Sequence, residues 1–278
     1  MSNRPNVVIT GVSTGIGFDA ARHLIAKGFT VFGSVRKAAD AERVQRELGT
    51  HFTPLVFDVT DPRGIAGAVG EVEAAVGDRG LAALVNNSGI SGAAPLMHVP
   101  IEEVRQMFEV NVIGLLAVTQ GFLPLLGARE NCPHPPGRIV NISSISGGLV
   151  FPFVGAYGGT KHAVEALTDG LRRELGIFGI RVVAIEPGNI RTPIWEKAGE
   201  ADTRFADTLY SRYLADMPAK LAEMGRKGDP VEVVSRAIHR AITASRPKTR
   251  YPLTPLWRLS RVLGDRALDR LVKSAMGL

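Results

Sequence analysis

The sequence predicts an α/β fold, a single doubly wound domain with a mostly parallel sheet and helices on both faces. Six short apolar runs rich in β-branched residues recur along the chain, longer stretches of helical character separate them, and no linker divides it. Strands apolar on both faces, each followed by a crossover helix, are what a covered parallel sheet requires. The 278 residues, 45% hydrophobic and 22% charged, suffice for a full core and exclude global disorder. One domain, 1–278, is expected.

The elements follow in order. NVVIT (6–10), TVFGSV (30–35), TPLVFD (53–58), LAALVNN (81–87), GRIVNIS (137–143) and IRVVAIE (180–186) read as strands. Helices are expected at roughly 16–28, 39–48, 62–76, 100–127 and 156–178. After the sixth strand the pattern breaks: residues 188–228 hold no continuous apolar run, carry Trp195, Phe205, Tyr210 and Tyr213, and precede a helix starting near Asp229-Pro230. An interruption at the C-terminal end of a strand is where a substrate-binding lid lies.

Charge divides unevenly. Residues 1–245 carry 25 Lys+Arg against 25 Asp+Glu, whereas the basic C-terminal extension, 246–278, carries eight against two. A neutral body argues against nucleic-acid binding. Within the extension, Leu256, Leu259, Leu263, Leu268, Leu271, Val272 and Ala275 recur at near-helical spacing, with Arg258, Arg261, Arg266, Arg270 and Lys273 largely between them. Such an amphipathic helix from Pro255 to Met276 docks on its own protein near the substrate entrance; an anionic membrane surface is the less common alternative. A lone Cys132 permits no internal disulfide, and six scattered histidines encode no metal site. With neither a signal-peptide order at the start nor 18 consecutive apolar residues, the expected location is cytoplasmic.

Chemistry begins after the first strand, where Gly11, Ser13, Thr14, Gly15, Ile16 and Gly17 form a Gly-x-x-x-Gly-x-Gly turn opening a helix. Such a turn lets backbone approach a pyrophosphate without Cβ hindrance and offers a helix N-terminus to the anion. Downstream, Tyr157 and Lys161 sit one helical turn apart, Ser144 lies 13 positions before the tyrosine at a strand end, and Asn111 lies in the preceding long helix. Asp58-Val59-Thr60, Asn86-Asn87-Ser88-Gly89 and Pro187-Gly188-Asn189-Ile190-Arg191-Thr192 complete the series.

In this order the residues resemble the classical short-chain dehydrogenase/reductase family over residues 6 to about 190, and the long segment after Pro187 is similar to the hydroxysteroid and retinol dehydrogenase branch. The resemblance implies a Rossmann fold, catalytic Asn111, Ser144, Tyr157 and Lys161, and cofactor contacts from the glycine turn, Asp58, Val59, Asn87, Ser88, Gly89, Tyr157, Lys161, Pro187, Gly188, Ile190 and Thr192. It further implies a homodimer or homotetramer through the two long helices. Two positions depart from the family pattern: Ser88 stands for the usual alanine, and Gly159-Thr160 for Ala-Ser. Both substitutes are small, so little change in the chemistry is expected.

The residues also suggest roles. Hydride transfer at a carbonyl carbon leaves an oxygen that must gain or lose a proton. Tyr157 is the expected acid/base, Lys161 lowers its pKa, Ser144 donates to the substrate oxygen, and Asn111 holds a water in a proton relay. The second strand ends Gly33-Ser34-Val35-Arg36-Lys37 with no acid before Asp40, so NADP(H) is favoured through Arg36, with NAD(H) the alternative. The expected reaction interconverts a hydrophobic, steroid- or retinoid-like secondary alcohol and its ketone. A 3-oxoacyl thioester reductase and a non-catalytic nucleotide sensor are the competing readings. The plainer local readings are a turn-forming Asp58, a locally bonded Asn111, and His162 and Cys132 without a task.

Overall fold

In the computed structural model, which describes residues 4–193, 203–260 and 262–276, seven parallel strands form one sheet in the order β3-β2-β1-β4-β5-β6-β7. They are β1 (Asn6–Ile9), β2 (Thr30–Val35), β3 (Phe52–Val56), β4 (Ala83–Asn86), β5 (Arg138–Ile142), β6 (Arg181–Glu186) and β7 (Arg250–Pro252). Among them run helices α1 (Gly15–Ala26), α2 (Ala38–Leu48), α3 (Pro62–Val76), α4 (Ile101–Phe108), α5 (Leu115–Phe122) and α6 (Gly155–Glu174). The strand order reverses between β1 and β4, which opens a crevice at the strands' C-terminal ends, the usual ligand position in such sheets.

Alternation along each strand decides which helix covers which face. Val7 and Ile9 of β1, Ala83 and Val85 of β4, and Val183 and Ile185 of β6 pack into one core with α1, α2 and a later helix, α9 (Glu232–Thr243). Their neighbours Val8, Leu84, Ile139 and Val182 point the other way, into a core shared with α3, α5 and the end of α6. Helix boundaries follow from capping chemistry: Asp61 accepts from the Arg63 N–H at 3.0 Å ahead of Pro62, and Gly77 ends α3 at φ 53°. The expected helix 100–127 is long and apolar enough by composition to cross a membrane, but half of its most apolar window is buried inside the protein. It runs from Ile101 to Leu126 through a π-helical segment, Glu109–Gly114, that carries Asn111.

The expected lid is helical where described, with α7 (Ser211–Leu214) and α8 (Met217–Lys227); Trp195 lies outside the described residues. The helix expected near Pro230 is α9. The C-terminal extension departs from expectation in two ways. It contributes β7, whose three residues are too short to show a period, and its expected single helix is two, α10 (Pro255–Leu259) and α11 (Asp265–Met276), with Gly264 between them. Arg261 lies outside the described residues. Trp257 and Val272, backed by Leu268, dock on Ile145, Leu149 and Phe151 just after Ser144. Leu256, Leu259 and Leu271 stay exposed, so only part of the expected stripe is buried.

Arg250, one of the tail's basic residues, has a structural place. Its Nε donates to Glu165 Oε2 at 2.8 Å, its Nη2 donates to Asp169 Oδ1 at 2.9 Å, and Glu186 lies 3.6 Å away. One guanidinium thereby bolts α6 to the β6–β7 edge. Arg250→Met should lower unfolding free energy by about 3–5 kcal/mol, because it leaves buried carboxylates uncompensated. Denaturant titration checks this; a change below about 1 kcal/mol would contradict it.

Candidate active site

The crevice floor is the glycine turn, built by groups that spend themselves on holding it. Gly11 and Gly15 take φ of 71° and 59°, a region costly for residues with a Cβ. A Cβ on Gly17 would lie 2.2 Å from the Gly11 carbonyl oxygen, so α1 can approach the turn only through glycine. Thr10 Oγ1 accepts from the backbone N–H groups of Asn87 and Ser88 at 2.9 Å, and Asn87 Nδ2 donates back to the Thr10 and Gly11 carbonyls at 2.9 Å. Ser34 Oγ accepts from the Gly11 N–H, and Arg43 donates to the Ser13 carbonyl at 2.7 Å. Thr192 lies 3.4 Å from where a Gly15 Cβ would stand. Thr14, extended, caps α1 without a side-chain bond. The helix N-terminus thus retains the unpaired N–H groups that suit a phosphate.

An open cavity of about 380 Å³ is lined by Arg36, Asp58, Thr60, Ile90, Glu102, Arg105, Gln106, Glu109 and Val110. Asp58 Oδ1 accepts from both the backbone N–H and hydroxyl of Thr60 at 2.9 and 2.8 Å, so the turn-forming reading holds alongside its place in the cavity wall. Val59 is buried, and a Cβ on Gly114 would lie 2.9 Å from it. Gly188 packs under Thr254, and Pro187 accepts from the Ile145 N–H at 2.8 Å. Buried Ile190 pairs by a β-bridge with Asp229.

The four expected catalytic side chains come together around the start of α6. Ser144, extended just after β5, and Tyr157, in the first turn of α6, are near enough for the serine hydroxyl to influence the phenol. Burial raises the Tyr157 pKa above that of a free phenol, and the Ser144 hydroxyl pulls the other way. Lys161 Nζ donates to the Ile142 carbonyl at 2.9 Å and lies 5.7 Å from the Tyr157 ring centre. Burial pulls its ammonium down to about 8, with the Glu165 charge opposing. The expected lowering of the tyrosine by the lysine is therefore not among the influences on Tyr157, whose dominant one is desolvation.

Asn111 is tied on both sides. Its Nδ2 donates to the Ile90 carbonyl at 2.8 Å and to Thr160 Oγ1 at 3.0 Å, and its Oδ1 accepts from the Ile90 N–H at 2.8 Å. With both amide protons committed, the side chain is a strut from the loop after β4 to α6. Thr160 completes the strut by donating to the Tyr157 carbonyl at 2.7 Å. A Cβ on Gly89 would stand 3.2 Å from Asn111 Oδ1 and 3.9 Å from Lys161 Nζ. Sequence reasoning missed Thr10, Ser34, Arg43 and the Thr160 hydroxyl; Thr10 and Thr160 adjoin motif residues, whereas Ser34 and Arg43 carry no pattern of their own. His162 bonds only its own helix, through the Gly158 carbonyl, and Cys132 bonds the His134 carbonyl in its loop.

A phenol, a serine hydroxyl and a buried lysine beside a phosphate-type turn can bind a nucleotide and move a proton at a substrate oxygen. Known proteins are similar to this chain over most of its length. Residues 5–203 match the family model described as short chain dehydrogenase. The chain is 42% identical over 268 residues, 95% of itself and 94% of the relative, to the NADPH-dependent 3-dehydrocapnine reductase of Ornithobacterium rhinotracheale. It is 34% identical to 17-beta-hydroxysteroid dehydrogenase type 6 of Bos taurus, over 95% of the chain and 87% of the relative. The solved structure of ElxO with NADP bound superposes with a TM-score of 0.74 at 26% identity, over 90% of the chain and 97% of that structure. The chain belongs to the classical short-chain dehydrogenase/reductase family and is an oxidoreductase of CH–OH and C=O groups.

Proposed function

We propose that this protein interconverts a hydrophobic secondary alcohol and its ketone with NADP(H). The observation that carries the reading is the grouping of Ser144, Tyr157 and a buried lysine, with Lys161 Nζ 5.7 Å from the Tyr157 ring centre. A nicotinamide dinucleotide bound on the glycine turn supplies or accepts the hydride. Ser144 bonds the substrate oxygen and fixes its position, while Tyr157 gives or takes its proton. Lys161, drawn down by burial to about 8, can hold or release a proton beside the tyrosine, and it would bond the cofactor's ribose. Asn111 holds α6 in place for both. The names of the relatives, a dehydrocapnine reductase and a hydroxysteroid dehydrogenase, support a bulky apolar substrate.

The cofactor choice rests on charge. Arg36, just past the end of β2, lines the cavity, and its guanidinium could pair bidentately with a 2′-phosphate. The NADPH dependence of one relative and the NADP in one solved neighbour point the same way. Exposed Phe108 and Ile113 on the first long helix and Ile177 and Phe178 in the turn after α6 support self-association of copies.

Four outcomes are expected. Tyr157→Phe keeps the ring and removes the proton, so turnover should fall at least about 100-fold with cofactor affinity unchanged; steady-state kinetics and fluorescence titration read both, and near-normal turnover refutes the assignment. NADPH should give a higher kcat/KM than NADH on one substrate, and Arg36→Leu should cost NADPH about tenfold or more while sparing NADH. Because folding lowers the Lys161 pKa from 10.5 to about 8, the unfolded chain takes up this proton first as pH falls. The Lys161 contribution to stability therefore falls from pH 10.5 down to 8 and no further below, by up to about 3 kcal/mol. Lys161→Met should lack that step, visible as a difference between the two proteins' stability–pH curves. Light scattering should find a dimer or tetramer, and a monomer at micromolar concentration would contradict self-association.

A further inference from the structure

We propose that Trp257 in the C-terminal extension is a positioning residue for the Ser144 hydroxyl. The inference rests on the reading of Ser144 and Tyr157 given above.

Ser144 does not stand on a strand; it caps a short 3₁₀ turn, Ile145–Gly147, with its Oγ accepting from the Ser146 N–H at 3.1 Å. The same side chain neighbours the Tyr157 phenol. Any rotation of the turn therefore moves the hydroxyl relative to the phenol. What fixes the turn's far side is not the sheet. Ile145 and Leu149 are buried with Trp257 and Val272 in a small core of their own, separate from the two that cover the sheet. Contact with Gly148 is close: a Cβ added there would stand 3.3 Å from Trp257 Nε1 and 3.1 Å from Ser260 Oγ.

Trp257 is itself anchored through the backbone. β7 pairs with β6 in register, the Leu253 N–H donates to the Glu186 carbonyl at 3.0 Å, and Thr254 caps α10 by accepting from the Leu256 N–H. Thr254 also packs on Gly188, next to Pro187, whose carbonyl accepts from the Ile145 N–H. A chain of contacts thus runs from the sheet edge through Trp257 to the residue after Ser144. Small displacements of reacting groups cost large factors in rate, which is why a packing contact at this place acts on turnover.

The test compares wild type, Trp257→Ala, Trp257→Phe, Ser144→Ala and the Ser144→Ala/Trp257→Ala double variant, with NADPH and a medium-chain methyl ketone as probe. NADPH absorbance gives kcat and KM, and thermal melts give stability. Trp257→Ala should lower kcat about tenfold with KM for NADPH unchanged, and Trp257→Phe should recover most of it. In the Ser144→Ala background Trp257→Ala should change kcat less than about twofold while lowering the melting temperature as it does in wild type. Gly148→Ala, which presses on the same contact from the loop side, should mimic the kcat loss. Equal kcat losses in both backgrounds, or a kcat of Trp257→Ala equal to wild type, would overturn the proposal. If Ser144→Ala itself turns over normally, the reading of the site fails, an outcome distinct from a failure of Trp257 alone.

Discussion

The site depends on one guanidinium. Arg250 meets Glu165, Asp169 and Glu186, so a residue of the last strand holds the helix that carries Tyr157 and Lys161 against the sheet edge. Buried charges cost several kcal/mol each unless paired, and a single arginine offers enough N–H groups to serve several carboxylates at once. The arrangement also reaches the chemistry. Glu165 lies one turn beyond Lys161 and opposes the desolvation of its ammonium. Were Glu165 not held in place by Arg250, that support for the lysine cation would move with it.

This balance explains why the tyrosine and lysine are set as they are. Burial disfavours charge on both, raising the phenol above its ordinary value and lowering the ammonium to about 8, so both groups are pushed toward their neutral forms. A neutral phenol is the form that can donate a proton to a substrate oxygen. The Ser144 hydroxyl trims the shift of the phenol, and Glu165 trims that of the ammonium. Neither correction equals the desolvation it opposes, because desolvation is the larger influence on each group. The pair is poised by burial first and by its partners second.

What the sequence made legible follows the strength of its patterns. The six predicted strands are found within three residues of their ends, because each is apolar on both faces and bounded by turn formers. β7 escaped because Arg-Tyr-Pro has no period to read, and its value lies in an ion-pair geometry that exists only once β6 and α6 are placed. The motif residues could be located by spacing, yet spacing does not say which way an amide points. Asn111 was legible as a position and not as a strut, since its partners Ile90 and Thr160 lie 21 and 49 residues away. The tail's apolar stripe was legible, whereas its break at Gly264 and its division between buried Trp257 and exposed Leu256 depend on the loop it meets.

The glycine turn shows the same logic in reverse, for here the unfamiliar residues serve the structure. Ser88, where the family usually has alanine, has its backbone N–H held by Thr10, and its Oγ stands 2.9 Å from where a Gly11 Cβ would be. A larger residue at position 11 would therefore meet a polar side chain besides taking an unfavourable φ, which makes glycine doubly required there. Thr160, in place of the usual serine, bridges Asn111 and the Tyr157 carbonyl with a single hydroxyl, a task its added methyl does not hinder in a fully buried site. The two departures keep the hydrogen-bonding of the turn and of α6 intact. Steric tolerance at 88 and hydroxyl chemistry at 160 are thus separate constraints: the first needs only small size, and the second needs an oxygen.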